Sequence, residues 1–290
     1  MIPQAHITAW RATAPWGDDA QVEQDLVLSR AVVEIFAEPE LAELLALRGG
    51  TALNKLFIQP PSRYSDDIDL VQAKPGAIGD VLNGIRRRLD PWLGRPKRSS
   101  SEASVRLTYR FESEVPPVRP LRLKIEINTR EHFVVLAYQR RSLVVANPWF
   151  MGKANVTTYA LDELMGTKLR ALYQRRKGRD LFDLWLGLSR GLLDPEQVVA
   201  CFAAYMKHEE RPVSRAEFER NLFEKESDPA FLGDIRPLLA AGLGYDAREA
   251  IALVREDLIS HLTGEPWRGT SSNADTDKRG KPRRGRSRRK

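Results

Sequence analysis

Asp67 and Asp69, separated by one isoleucine at the head of an apolar segment, are the residues of this chain best placed to do chemistry. Side chains alternate along a strand, so both carboxylates point one way while Ile68 and Leu70 turn into a core. Like charges side by side repel, and a hard divalent cation with oxygen ligands is the common means of neutralising them. A bare D-x-D is more often an acidic surface turn, so its neighbours decide. Upstream, Gly49-Gly50-Thr51 opens a run from Ala52 to Ile58 with helical character. Two glycines let the backbone approach a ligand closely, and backbone N–H groups with a hydroxyl at a helix start suit a phosphate. A phosphate cradle beside metal-binding carboxylates is the chemistry of a nucleotide site.

These residues resemble the DNA polymerase β-type nucleotidyltransferase superfamily, whose signature is Gly-Ser or Gly-Gly, a spacer, and D-x-D on a strand. More narrowly, RGGTALNKLFIQPPSRYSDDIDL from Arg48 to Leu70 is similar to the AbiEii/MenT nucleotidyltransferase toxins, where GG(S/T)AL is followed by R-x-S-x-DIDL. Arg63, Ser65, Asp67 and Asp69 match the second half. Thr51 replaces the usual Ser but keeps the hydroxyl, and the spacer from Thr51 to Asp67 is long at 15 residues. QVEQDLVLSRA from Gln21 fits the same group. The resemblance implies Mg²⁺, with Mn²⁺ as the alternative ion, on Asp67, Asp69 and a third carboxylate from a neighbouring strand. Glu126 matches that third position by type and place, because it is the acidic residue on the polar face of the alternating segment Leu121–Asn128. As an ordinary solvated glutamate it would instead pair with Arg106 or Lys124. The triphosphate of an NTP would lie on Gly49, Gly50, Thr51, Arg63, Ser65 and Lys168. The resemblance further implies an RNA acceptor, the 3′ end of tRNA, and a cognate antitoxin such as an AbiEi-like winged-helix protein.

Lys168 enters from the second half of the chain. In the helix predicted from Leu161 to Arg176 the apolar stripe is Leu161, Leu164, Met165, Leu169 and Leu172, and Lys168 falls within it. A lysine on a buried stripe usually snorkels to water along its stem, or it reaches an anion as a point charge. The toxin pattern carries such a lysine followed by an arginine–aspartate pair and a second aspartate, here Lys168, Arg179, Asp180 and Asp183. Asp180 and Asp183 share a helix face near its N-terminus, where the macrodipole favours negative charge, and their plain role is to cap that helix and pair with arginines. The resemblance makes at least one of them functionally required, by orienting Lys168 or Arg179, and leaves open which. The expected catalytic set is Asp67, Asp69, Lys168, Asp180 and Asp183.

The elements that must hold these groups follow from pattern. An irregular arm over residues 1–20 precedes a helix capped at Asp18 or Asp19 and broken at Pro39, and a short helix from Glu40 to Leu47 leads into the glycines. After Asp69 come an amphipathic helix from Ile78 stopped by Pro91, a polar loop over residues 95–104, and two alternating strands, Val105–Phe111 and Leu121–Asn128. Short strands or edge structure fill residues 129–156, and helices run from Thr157 to about Leu262 at 161–176, 179–189, 195–206, 215–223, 229–241 and 247–262. The fold class expected is α+β: an N-terminal polymerase β-type mixed sheet with flanking helices over 1–156, a helical domain over 157–265, and a disordered basic tail over 266–290.

Composition sets the remaining bounds. With 290 residues, 42% hydrophobic and 29% charged, the chain is an ordinary globular protein with a substantial core. Of the net charge of +7, residues 268–290 hold ten Lys or Arg against two Asp, so the rest of the chain is close to neutral at −1. Such a tail binds phosphate backbones without sequence preference or serves solubility. One cysteine, Cys201, in an apolar stretch reads as packing and excludes an internal disulfide. The four histidines show no metal spacing, and the HEER at 208–211 reads as a helix end. No apolar run is long enough to span a membrane, and a cytoplasmic setting is expected. A small-molecule adenylyltransferase shares the same site residues, but a cationic substrate such as an aminoglycoside favours an acidic cleft, whereas Arg63, Arg106, Arg110, Lys124 and the tail surround this one with positive charge. A catalytically silent RNA-binding regulator on the same fold would bind without turnover.

Overall fold

A computed structural model describes residues 2–269. Its elements in order are α1 (Gln4–Trp10), α2 (Asp19–Phe36), α3 (Pro39–Leu44), β1 (Leu45–Arg48), α4 (Gly49–Ala52), β2 (Asp67–Gln72), α5 (Ile78–Leu93), β3 (Lys97–Ser100), β4 (Ser104–Glu112), β5 (Pro120–Asn128), β6 (Tyr138–Asn147) and β7 (Phe150–Tyr159). The helices α6 (Leu161–Gln174), α7 (Gly178–Ser189), α8 (Pro195–His208), α9 (Arg215–Glu226), α10 (Pro229–Gly233) and α11 (Ala247–Asp257) follow. The strands form one mixed sheet in the order β3-β4-β5-β2-β1-β7-β6, with the β2–β5 and β1–β7 pairs parallel and the rest antiparallel. This is the expected α+β architecture, a mixed sheet with flanking helices followed by helices.

Alternation explains the sheet. In β4, Val105, Leu107, Tyr109 and Phe111 are buried while Arg106, Arg110 and Glu112 are exposed, and β5 buries Leu123, Ile125 and Ile127. Helices α2 and α5 cover the apolar face: Gln24 donates to the Arg122 carbonyl (2.8 Å) and the Tyr109 hydroxyl to Asp90 (2.9 Å). The opposite face of β4 and β5 stays polar and open. One continuous apolar core joins the sheet to the C-terminal helices, and the backbone pairs directly across the two parts, from Tyr64 N–H to the Leu238 carbonyl (2.7 Å) and from Ala240 N–H to the Ser62 carbonyl (3.0 Å).

Several elements depart from the sequence expectation. The arm before Asp18 holds α1, because Ile7 and Trp10 are buried and the Trp10 indole donates to Asp25 on α2 (2.9 Å). The helix expected over 40–47 ends at Leu44, and Leu45, Ala46 and Leu47 become the buried central strand β1. Helix α5 passes through Pro91 and closes at Gly94 with φ +76, since Leu89 and Leu93 on either side of the proline are buried and the missing N–H falls in the last turn. The stretch over 95–104 contains β3, an exposed edge strand without apolar alternation that registers on β4. Strands β6 and β7 form a ten-residue hairpin in place of short pieces. The passage from sheet to helices comes at Tyr159–Leu161, and the helix expected over 229–241 shrinks to α10 and a single 3₁₀ turn, Arg236–Leu238. The basic tail expected over 266–290 lies outside the described residues from 270 onward.

Candidate active site

The sheet wall of the site is built by register. Antiparallel pairing sets Arg48 of β1 beside Asp69 of β2, and parallel pairing sets Asp67 beside Lys124 and Asp69 beside Glu126 of β5. Between β1 and α4 the chain turns at Gly49 with φ +75, where a Cβ would come within 2.3 Å of the Asp69 Oδ2, so glycine is required on both counts. A Cβ on Gly50 would meet the Arg63 guanidinium at 2.3 Å. Thr51 does not face the cleft: it is buried, its hydroxyl donates to the Asp67 carbonyl (2.6 Å) and lies 3.0 Å from the Ser65 hydroxyl. The structure therefore places Thr51 behind the D-x-D strand, fixing its backbone, instead of at the surface where a phosphate would touch it. Ser65 lines the cleft.

The three candidate metal carboxylates differ in how far they are committed. Asp69 has no hydrogen bond or ion pair among the described residues, and its oxygens face the cleft. Asp67 accepts from the Lys124 ammonium through Oδ1 (2.7 Å), and burial together with Asp66 and Asp69 still lifts its carboxyl above the ordinary carboxylate range. Glu126 accepts from Arg106 Nε through Oε2 (3.0 Å) and from Ser104 through Oε1 (3.1 Å). Burial opposes its charge, but these hydrogen bonds hold its carboxyl below the usual range. Of the two pairings foreseen for a solvated Glu126, the one with Arg106 exists, whereas Lys124 pairs with Asp67 instead.

The helix wall carries the second set. Arg63, 2% exposed, makes a two-pronged bond to Asp183, Nε to Oδ1 (2.6 Å) and the terminal nitrogen to Oδ2 (2.8 Å). Lys168 sits between the two α7 aspartates, 2.9 Å from Asp183 and 3.3 Å from Asp180. Arg175, in the extended residue that ends α6, folds back onto Asp180 at 2.7 and 2.9 Å. Burial works against the charge on Asp183, yet Arg63 and Lys168 outweigh it and hold its carboxyl at about 2; Lys168 and Arg175 pull Asp180 down in the same way. Asp180 and Asp183 do not line the cleft. Both bind Lys168, and between them they hold Arg63 and Arg175 as well, so each has the contact to Lys168 expected of at least one. Three cations on two carboxylates leave one positive charge over at the cleft wall.

Between the walls lies a cleft of about 380 Å³ lined by Gly49, Gly50, Asp66, Asp67, Asp69 and Glu126 on one side and Lys168, Arg170, Gln174, Arg175 and Arg179 on the other. Arg179 lines the cleft, and its guanidinium has no hydrogen bond or ion pair among the described residues. Arg48 and Arg170 converge on Glu131, and Arg170 also reaches Glu209 (2.9 Å). The 208–211 stretch is thus more than a helix end. Sequence reasoning passed over Arg48, Arg170, Arg175, Glu131 and Glu209. A signal existed for part of this set, because Thr167, Lys168, Ala171, Gln174 and Arg175 line the cleft at helical spacing.

No histidine or cysteine lines the cleft, so the anionic ligands it offers an ion are carboxylates, which suits a hard divalent ion. Among the described residues no group of three or more His, Cys, Asp or Glu side chains is already gathered as an ion-binding set. Asp69 and the free oxygen of Asp67 fit such an ion as they stand; Glu126 fits it on release from Arg106. Cys201 is buried against Gly166 where α8 crosses α6, and burial pushes its thiol up to about 12. It is a packing residue.

Residues 30–252 match the family described as nucleotidyl transferase AbiEii toxin, type IV TA system. The fold is similar to that of MenT4, a nucleotidyltransferase toxin from Mycobacterium tuberculosis H37Rv, at 16% identity and a TM-score of 0.63 over 91% of each chain. It is also similar to a putative nucleotidyltransferase from H. pylori, at 16% identity and a TM-score of 0.51, covering 82% of this chain and 93% of that one. No curated protein sequence matches the chain. At these identities the structural likenesses speak for the fold.

Proposed function

The chain belongs to the AbiEii family of toxin–antitoxin nucleotidyltransferases and is a nucleotidyltransferase, and from that premise we propose that it transfers a nucleoside monophosphate from an NTP to RNA, at the 3′ end of tRNA. The observation that carries this reading is the pairing of an uncommitted carboxylate, Asp69, with an excess of fixed cations across one cleft. The triphosphate lies along the Gly49–Gly50 backbone under Lys168, Arg170, Arg175 and Arg179, the first three of which are held in place by carboxylates before substrate arrives. The acceptor hydroxyl gives up its proton to water and attacks the α-phosphorus in line; an O–P bond forms as the bond to the bridging oxygen of the β-phosphate breaks, and pyrophosphate leaves into the arginine wall. Phosphoryl transfer asks little of a protein beyond alignment and charge neutralisation. Asp67 and Asp69, with Glu126 once Arg106 lets go, would hold Mg²⁺, which when bound supplies charge neutralisation at the α-phosphate.

Family membership implies a nucleotide substrate and an antitoxin partner. We place the antitoxin among AbiEi-like winged-helix proteins and the reaction in the cytoplasm. No helix among the described residues is long and apolar enough to cross a membrane. The test is to supply each of the four NTPs, labelled at the α-phosphate, with total RNA and Mg²⁺. Label in a tRNA-sized species is the expected result and names the preferred base. Label in a small molecule, with none in RNA, overturns the RNA acceptor and points to antibiotic-type adenylylation.

A further inference from the structure

The open face of β3, β4 and β5 carries a second feature. Strand register puts Lys97 and Ser99 of β3 beside Thr108 and Arg106 of β4, and Arg106, Thr108 and Arg110 beside Glu126, Lys124 and Arg122 of β5. These side chains all lie on the polar face and form a groove of about 250 Å³ whose lining holds five Lys or Arg and no acidic residue. Arg106 and Lys124 are bound to Glu126 and Asp67. The side chains of Lys97, Arg110 and Arg122 have no hydrogen bond or ion pair among the described residues. Arg110 stands directly opposite Arg122, a like-charge pair that costs the sheet stability by itself. From β3 to the D-x-D strand the face crosses three strand spacings, roughly 14 Å, and the groove comes to the D-x-D strand through Lys124, whose ammonium holds Asp67.

Resting on the proposal that the acceptor is RNA, we propose that this strip is the track along which the acceptor strand's phosphates lie as its terminal hydroxyl reaches Asp67 and Asp69. A polyanion is what an unopposed arginine pair requires. An acidic protein is the weaker fit, because the strip offers no apolar or aromatic anchor of the kind that centres protein interfaces, whereas nucleic-acid interfaces are polar and positively charged. Lys124 ends the track while holding Asp67, so the last phosphate and the metal carboxylates share one cation. Glu112, the next residue on that face, ends the run of positive charge at the far end.

The experiment uses the full chain and a fluorescently labelled RNA oligonucleotide with a single-stranded 3′ end, comparing wild type with the double variant Arg110→Ala/Arg122→Ala. Removing two phosphate contacts weakens binding by about tenfold or more at moderate salt, and makes the plot of log affinity against log salt shallower by about one to two. The melting temperature stays at or above that of wild type, because the like-charge pair is gone, and this separates lost contact from lost fold. Affinity within twofold of wild type overturns the strip, including the case in which it serves an acidic protein. Failure of the RNA-transfer proposal shows separately, as a wild type that binds RNA through the strip yet labels none.

Discussion

Two pairs of aspartates flank the same cleft, one lining it and the other buried behind its helix wall, and they are used in opposite ways. Asp67 and Asp69 stand two apart on a strand, and Asp180 and Asp183 three apart on a helix; each pair shares a face by the period of its element. The helix pair is buried at 0% and 2% exposure and surrounded by Arg63, Lys168 and Arg175. The strand pair has one cation, Lys124, on one of its four oxygens. Their acidities move apart accordingly, Asp183 down to about 2 and Asp67 upward. The fold has already balanced the charge of the helix pair, whereas the strand pair is left facing each other, as the proposed reaction requires of carboxylates that would take up a cation. Resemblance in sequence marks both pairs and cannot tell these uses apart.

The comparison breaks first at Asp183. Asp183→Ala leaves Arg63 buried without a partner and Lys168 short of one, so it is expected to cost about 3–5 kcal/mol of stability in denaturant unfolding, and activity falls with the fold. Asp69→Asn is expected to leave the melting curve unchanged and to lower the transfer rate by about a thousandfold or more, since several kcal/mol of charge stabilisation depend on it. If both variants lost only activity, or both lost only stability, the distinction between the pairs would be wrong.

Acid sharpens it. Asp183 is depressed in the folded state, so its contribution is complete above the ordinary aspartate value of 3.8 and is lost as pH falls through about 2. That window spans about 2 kcal/mol, and unfolding curves at pH 4, 3 and 2 should show a loss of that order in wild type and a smaller one in Asp183→Asn. Gly49→Ala meets both a positive φ and the Asp69 carboxylate at 2.3 Å; a strain of about 1–3 kcal/mol is expected, visible as a lowered melting temperature and a slower transfer. Smallest is Glu126→Gln. Its carboxylate is already spent on Arg106 and Ser104, so the rate should fall by about tenfold, well short of the Asp69 effect, in the same transfer assay. A loss equal to that of Asp69→Asn would make Glu126 a full partner in holding the ion.

Much of this site was legible because its residue types lie close in sequence or obey a period. Asp67 and Asp69 fall on one strand face, Glu126 comes beside Asp69 on the neighbouring strand, and Lys168 does sit on a buried helix face. What was not legible is the choice of partner. Lys124 takes Asp67 and Arg106 takes Glu126 because two strand registers, one parallel and one antiparallel, set those neighbours, and registers are long-range facts. Thr51 turns inward because its hydroxyl finds the Asp67 carbonyl, a contact across 16 residues that a phosphate-cradle pattern does not encode. Glu131 and Glu209 reach Arg170 from segments that carry no motif. Edge strand β3 escaped because four exposed polar residues have no hydrophobic period to read.

The most direct test is the rate at which Asp69→Asn, shown by its melting curve to be folded as wild type, transfers α-labelled nucleotide to RNA. The account predicts labelled RNA with wild type and none above background with the variant. RNA labelled at the wild-type rate by the folded variant would contradict it, because the D-x-D carboxylate that the fold leaves unpaired would then have no part in the reaction.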